Sequence, residues 1–397
     1  MTDFTATRDA FHLPDGMIYL DGNSLGPLPK RAVARVAAAM QDEWGEHLIK
    51  GWNACGWMDM PARLGDRIGR LIGAEEGHVV VGDTLSIKVY QALAAAIKLT
   101  PDRRVILSDT GNFPSDLYMA EGLISLLGPD YELRLVEPEE IEAAITDEIA
   151  VTLVTEIDYR TGRKHDMAAL TAKAQAAGVV TVWDLAHSAG ALPVDLAGVQ
   201  ADFAVGCTYK YLNGGPGAPA FIYVAPRHAD TALPALSGWL GHDSPFAFDL
   251  GYTPGAGIAR MRVGTPPVVQ MAALDAALDV WEDVDMQALR AQSIALSERF
   301  IAGVEATCPD LTLASPRNPE ARGSQVSFRF ADGYAAIQAL IAHDVIGDFR
   351  APDLMRFGFS PLYLSYGEVA EAARAMIEII ETREYERPEF QVRKAVT

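Results

Sequence analysis

The sequence predicts an α/β fold, with a mostly parallel central sheet in a large domain and a smaller α+β domain after it. Three observations lead there. From about residue 61 to 224, short apolar runs alternate with helical patterns, as in a parallel sheet covered by helices on both faces. A Pro/Gly-rich stretch at 251–267 marks a junction, beyond which helices mix with a single clear strand pattern. Two of the apolar runs lead into Trp183-Asp184-Leu185-Ala186-His187-Ser188 and Thr208-Tyr209-Lys210-Tyr211-Leu212-Asn213-Gly214-Gly215-Pro216-Gly217. An Asp, a His and a Lys thus arrive at or just past strand ends, where α/β sheets build ligand crevices.

Residues 1–60 form a lead-in segment expected to pack with the smaller domain: a short strand at 17–20, a Gly/Pro turn, and an Ala-rich helix over 31–44. The large domain, 61–265, takes strands at 79–81, 104–107, 150–154, 179–183, 204–206 and 221–224, and helices at 86–99, 115–127 and 167–177. The small domain, 266–397, opens on one long helix from about Val268. It continues with a strand at 325–330, a helix at 334–343 and a last helix over 368–383. No repeat or low-complexity tract interrupts this order.

At 397 residues, 49% hydrophobic and 22% charged, the chain has ordinary globular composition and enough length for two cores. Its formal net charge of −20 argues against nucleic acid or an anionic membrane as partner, since either would be repelled. An anionic ligand must therefore be caught by local donors. Three scattered cysteines (Cys55, Cys207, Cys308) suit a reducing cytoplasm and neither a disulfide framework nor a zinc site. No metal is expected. The first residues lack the basic and apolar regions of a signal peptide, and no apolar run approaches the ~18 residues of a membrane helix.

Lys210 leaves its strand into Asn-Gly-Gly-Pro-Gly, where backbone without side chains lets a ligand come close. An amine there is the nucleophile for a Schiff base, and Asp184 offers the carboxylate that pyridoxal phosphate needs opposite its ring nitrogen. On residue type alone, Lys210 is a solvated loop lysine and Asp184 a strand-end cap; it is their company that changes the reading. Asp83-Thr84-Leu85-Ser86 begins a helix directly after a strand, so free N–H groups and hydroxyls converge as in an anion seat. The plainer alternative is N-capping by Asp83 or Thr84. Asn112-Phe113-Pro114-Ser115-Asp116 is a similar corner, with Phe113 able to stack on a planar ring. Gly22-Asn23-Ser24-Leu25-Gly26 matches a GxSxG nucleophile elbow, yet Pro27 and Pro29 follow at once and no sheet precedes it. Gly215-Pro216-Gly217-Ala218-Pro219-Ala220 matches GxGxxA but runs into a strand, which is the wrong context for dinucleotide binding.

With Asp184-x-x-His187 and Tyr209-Lys210 in place, the chain resembles the fold-type I pyridoxal-phosphate enzymes, and among them the kynureninase family. The matching stretches are Leu20-Asp21-Gly22-Asn23-Ser24-Leu25-Gly26, Phe113-Pro114-Ser115-Asp116, Asp184-Leu185-Ala186-His187 and Thr208-Tyr209-Lys210-Tyr211-Leu212-Asn213. Gly238-Trp239-Leu240-Gly241-His242, Gly264-Thr265-Pro266-Pro267 and Arg356-Phe357-Gly358-Phe359-Ser360-Pro361-Leu362-Tyr363 complete an ordered set along nearly the whole chain. The resemblance implies a cytoplasmic hydrolase of tryptophan catabolism. It would cleave a carbon–carbon bond of L-kynurenine, or of 3-hydroxykynurenine, to give anthranilate (or 3-hydroxyanthranilate) and L-alanine. It also implies pyridoxal 5′-phosphate as cofactor and a homodimer with active sites between subunits.

Carried over by position, the resemblance makes Lys210, Tyr209 and Asp184 catalytic. It puts Thr84, Leu85, Ser86 and Tyr209 at the phosphate, Phe113 and His187 at the ring, and Thr155 and Asp116 in the cofactor pocket. Trp239 and Thr265 would reach the phosphate from the second subunit, and Arg356 and Ser24 would bind substrate, the arginine by forking onto its α-carboxylate. Two departures from the family pattern follow. Animal members carry Asn where this chain has Thr265, which alters that phosphate contact in kind. Glu46 aligns with their substrate-contacting histidine while His47 lies one residue off, which bears on the choice between kynurenine and its 3-hydroxy form, with unmodified kynurenine expected. The alternative within the fold is a cysteine desulfurase or another class V aminotransferase-type enzyme. A desulfurase needs a mobile thiol, and Cys207 falls inside the strand before Lys210.

Overall fold

The computed structural model describes residues 4–393. A seven-stranded sheet forms its centre: β1 (Val79–Val81), β2 (Val105–Asp109), β3 (Glu132–Val136), β4 (Ile149–Thr155), β5 (Val180–Asp184), β6 (Phe203–Gly206) and β7 (Phe221–Val224). Their spatial order is β1-β7-β6-β5-β4-β2-β3. Only β7 runs antiparallel to its neighbours β1 and β6; the remaining pairings are parallel. Strands β2, β4, β5 and β6 are buried along their whole length, so they read as unbroken apolar runs rather than alternating ones. Each Val or Leu buried this way contributes about 1.5–3 kcal/mol relative to exposure.

Helix α1 (Lys30–Ala38) lies in the N-terminal segment, and α2 (Met60–Leu71), α3 (Leu85–Leu99), α4 (Pro114–Leu127) and α5 (Met167–Ala176) belong to the large unit. Ala92, Leu93, Ala95 and Ala96 of α3 are fully buried because this helix lies across β4 to β7. The parallel register fixes the site: Thr155 pairs with Asp184, and Asp184 with Val205, so the ends of β4, β5 and β6 open on one edge.

Helix α6 (Val268–Leu278) packs on α1 and α2. Helices α7 (Met286–Glu305), α8 (Gly333–Ala342) and α9 (Tyr366–Glu381) accompany a four-stranded antiparallel sheet. Its strands β8 (Thr312–Leu313), β9 (Gln325–Arg329), β10 (Asp348–Arg350) and β11 (Leu354–Gly358) lie in the order β8-β9-β11-β10. Phe300 of α7 packs on Phe328, Phe357 and Phe359 at the heart of this unit. The lead-in segment joins it directly, as Ile18–Tyr19 pairs in parallel with Val345–Ile346.

The structure corrects three expectations. Strand β3 is an edge strand with exposed Glu132 and Leu135, so its sequence lacks the apolar run of its neighbours. The long helix from Val268 is two helices, because Asp285 caps α7 by accepting from the N–H groups of Gln287 and Ala288. The helix expected over 31–44 is α-helical through Ala38 and then widens to a π-helix over Ala39–Glu46.

Candidate functional site

Lys210 follows β6 after a short turn, and its Nζ stands 2.9 Å from His187 Nε2. The same ammonium lies 5.9 Å from the Phe113 ring centre and 5.8 Å from that of Tyr209. Burial, then the charge of Lys210, pushes His187 well below its ordinary value, so the ring is neutral. With Nε2 accepting from Lys210, the imidazole proton sits on Nδ1, a buried atom without a hydrogen-bond partner.

Asp184 ends β5, and one of its oxygens accepts from the Ala186 N–H at 2.9 Å. Burial raises its carboxyl to about 6 against the pull of Lys210. Asp116, in the first turn of α4, is buried beside it and held well above the carboxylate range by burial and by the Asp184 charge. Two adjacent buried carboxylates cannot both ionise cheaply, so Asp116 carries the proton and Asp184 the charge. Asp116 Oδ2 has no hydrogen-bond partner. Thr155 completes this wall at the end of β4, with its hydroxyl 3.5 Å from the Asp184 carbonyl. Phe113 caps α4 with 41% of its surface exposed, and Tyr159 meets it edge-on at 5.1 Å.

Thr84 is the N-cap residue of α3, yet no side chain caps that helix. The capping alternative for Asp83 and Thr84 therefore fails. The first N–H groups, from Leu85 onward, are left for a ligand, with Ser86 Oγ 3.1 Å from Ser115 Oγ beside them.

Arg356, on β11, is almost fully buried. It donates from Nε to Asp348 Oδ1 at 2.6 Å, from Nη2 to Asp348 Oδ2, from Nη1 to the Tyr159 carbonyl, and from Nη2 to Ser24 Oγ at 3.1 Å. Ser24 in turn donates to Asp348 Oδ2 at 2.8 Å, which excludes a hydrolase elbow. Tyr159 links the two ends: its ring meets Phe113, over which Lys210 lies, and its carbonyl accepts from Arg356. Burial and the neighbouring Asp348 raise Asp21 to about 7. Asp21 Oδ1 and both polar atoms of Asn23 are buried without partners. The glycines of this turn are required by contact: a Cβ on Gly26 would lie 2.3 Å from the Lys210 carbonyl, and one on Gly22 1.9 Å from Tyr363 Oη.

The family description "Kynureninase C-terminal domain" matches residues 289–376, the stretch carrying Arg356 and Asp348. A kynureninase from Pseudomonas fluorescens is 50% identical over 98% of this chain and 95% of its own length. One from Burkholderia mallei has the same identity and coverage. The chain belongs to the kynureninase family. Solved structures agree on its fold. A cysteine desulfurase from Thermococcus onnurineus superposes with a TM-score of 0.81 at 20% identity, covering 96% of this chain and 99% of that one. Another from Escherichia coli gives 0.80 at 18%, with the same coverage. A third structure, with glycine covalently linked to its PLP cofactor, gives 0.76 at 18% over 95% and 99% of the two chains. At such identities the likeness is one of fold, the fold-type I architecture that the sequence implies.

Two residues of the kynureninase resemblance stand away from this crevice. Trp239 is 41% exposed and meets Phe246 edge-on at 5.8 Å. Its turn is bonded to Val263 (Leu240 N–H to the Val263 carbonyl, 3.2 Å), which brings Trp239 and the exposed Thr265 onto a shared surface. Glu46 and His47 are exposed as well. Conversely, Tyr159, Asp348 and Asp21 were not singled out from the sequence, although Asp21 sits inside the Gly22–Gly26 motif's flank. Asp348 lies on a three-residue strand with no periodic pattern to flag it.

Proposed function

We propose that this protein hydrolyses L-kynurenine, in preference to 3-hydroxykynurenine, to anthranilate and L-alanine, as a pyridoxal 5′-phosphate enzyme of tryptophan catabolism. The observation that carries this reading is a chain half identical to kynureninases along its length, in which Tyr159 bridges Lys210 and Arg356, its ring against Phe113 beside the lysine and its carbonyl on the arginine.

The residues present fit the cofactor. It needs an amine, a buried carboxylate for its ring nitrogen, a flat wall and an anion seat. Lys210, Asp184, Phe113 with His187, and the uncapped start of α3 at Thr84, Leu85 and Ser86 meet those needs. Asp116 Oδ2 and His187 Nδ1, in the same cluster of side chains, are buried with hydrogen-bonding capacity to spare. When bound, pyridoxal phosphate supplies a protonated ring that draws electron density from the substrate's α- and β-carbons.

The chain's own groups do the rest. Lys210 would hold the cofactor's aldehyde carbon and, once the substrate's amine has displaced it there, its freed Nζ would move the α-proton. Asp184 would keep a proton on the ring nitrogen, and neutral Asp116 would let it stay ionised. Arg356 and Ser24 take the α-carboxylate, turning the guanidinium's Nη edge away from the Tyr159 carbonyl. Tyr209, raised far above an ordinary phenol chiefly by burial, keeps its proton at neutral pH; once water has added to the substrate's γ-carbonyl and the Cβ–Cγ bond has broken, releasing the ring-bearing half as anthranilate, it is the acid for the β-carbon. Trp239 and Thr265 serve the phosphate of a second copy, and the exposed Trp239, Phe246, Phe248 and Leu250 give that homodimer contact an apolar face. No helix among the described residues is long and apolar enough to cross a membrane. The cytoplasm suits the three free thiols.

Adding L-kynurenine to the purified holoprotein tests the reading: anthranilate fluorescence should rise with one alanine released per anthranilate. Sulfide release from cysteine without anthranilate would overturn it.

A further inference from the structure

A buried lysine that takes no part in this chemistry sits behind the phosphate seat. Lys88, in the second turn of α3, is 1% exposed. Its Nζ donates to Asp83 Oδ2 at 3.0 Å, Gln91 Oε1 at 2.9 Å and the Met261 carbonyl at 3.1 Å. All three ammonium protons are thereby used. Gln91 also donates to the Met261 carbonyl, at 3.3 Å. Burial lowers the Lys88 ammonium from its ordinary value, and Asp83 pulls it back up.

The partners matter because of where they lie. Asp83 immediately precedes the N-cap Thr84 and has a left-handed backbone, φ 56°, a conformation that costs a side-chain-bearing residue free energy. Asp83 is thus two residues ahead of Leu85, where the uncapped N–H groups that would receive a dianion begin. A bare carboxylate there would compete for those donors and repel phosphate. Lys88 is four residues into the helix from its cap, the position that in a hydrophobic staple sets the angle at which the chain enters. Here the staple is ionic, with Lys88 buried and Asp83 32% exposed at its side chain. Its third partner, Met261, ends the Gly257–Met261 turn, four residues ahead of Thr265.

We propose that Lys88 is a positioning residue for the cofactor phosphate, neutralising the Asp83 carboxylate and fixing the turn from which the first N–H groups of α3 are presented. The proposal rests on the pyridoxal-phosphate reading. It requires that Lys88 matter for the phosphate and not for the ring.

The test compares pyridoxal phosphate with pyridoxal, which lacks the phosphate, by the absorbance each acquires on binding the cofactor-stripped enzyme. In Lys88→Met the phosphate form should bind roughly tenfold more weakly, while pyridoxal changes less than twofold. The double variant Lys88→Met/Asp83→Asn should regain most of the lost affinity, because no bare carboxylate then remains. Equal weakening of both ligands, no weakening of either, or failure of the double variant to recover would overturn the proposal. Should the methionine variant not fold, Lys88→Gln keeps a donor without the charge. It must show the same selective loss, and an unchanged ratio of the two affinities overturns the inference. Absence of any absorbance change in the unaltered enzyme would instead sink the cofactor reading itself.

Discussion

The two ends of the crevice handle buried charge in opposite ways. At the Lys210 end, groups are left incomplete: Asp116 Oδ2 and His187 Nδ1 have no partner, and no side chain caps α3. At the Arg356 end, the guanidinium is already spent, with four hydrogen bonds to Asp348, Ser24 and Tyr159 against the five N–H groups it owns. Unsatisfied buried donors and acceptors at the first end cost free energy. At the second, Asp348 holds the arginine by its Nε side and Ser24 and Tyr159 take its remaining bonds, which the proposed substrate carboxylate would have to exchange.

Removing the amine should break the first end entirely. Lys210→Ala is expected to lower turnover of L-kynurenine by more than roughly a thousandfold, followed by anthranilate fluorescence. Retention of even a tenth of the activity would contradict its role. At the second end the loss should fall on binding. Asp348→Asn frees Arg356 from its ionic clamp and should raise KM roughly tenfold, with kcat changed less than threefold. A fall in kcat at constant KM would show that Asp348 does not orient the arginine. Because a buried pair is broken, the same variant should cost about 3–5 kcal/mol of stability, measured by denaturant unfolding.

Tyr209 lies between these extremes. Tyr209→Phe keeps the ring beside Lys210 and removes the acid, so kcat should fall roughly 10- to 100-fold with little change in cofactor absorbance. The smallest effect concerns Glu156, buried just past Thr155 with Oε2 unpartnered. Burial raises its carboxyl to about 7, against Ser188, Lys164 and Arg290, which lower it. A carboxyl raised on folding favours the folded state when protonated. Its contribution is fully present below pH 4.5 and is lost as pH climbs through about 7. Glu156→Gln should therefore flatten the loss of stability between pH 5 and 8, by on the order of 2–3 kcal/mol at the upper limit. A Tm that responds to pH as steeply as before would refute it.

Most of the cofactor end was legible in the sequence because its residues stand at the ends of fully buried strands, which advertise themselves as apolar runs. Lys210 was marked by the glycines after it and Asp184 by the Val/Trp run before it. The Arg356 end was half legible. Arg356 and Ser24 were recognisable through family motifs, but Asp348 belongs to a short strand whose register with β11 only the folded sheet defines. Tyr159 acts through its carbonyl, which no side-chain pattern reports. The missed edge strand β3 and the broken helix after Val268 have local causes too: an exposed strand face in one case, a capping aspartate in the other.

The lead-in chain ties these ends together mechanically. Its Ile18 and Leu20 N–H groups donate to the Asp344 and Ile346 carbonyls, both at 2.8 Å, and the Leu20 carbonyl accepts from Gly358 at 2.6 Å. A few residues later, the Gly26 N–H donates to the Tyr209 carbonyl at 2.8 Å. Ser24 sits on the span between. This stretch therefore works as a tie-rod between the strand bearing Arg356 and the backbone bearing Lys210, and load applied at one anchor is delivered to the other. Cutting it, or lengthening it by a residue, should leave both ends folded and take away their common alignment.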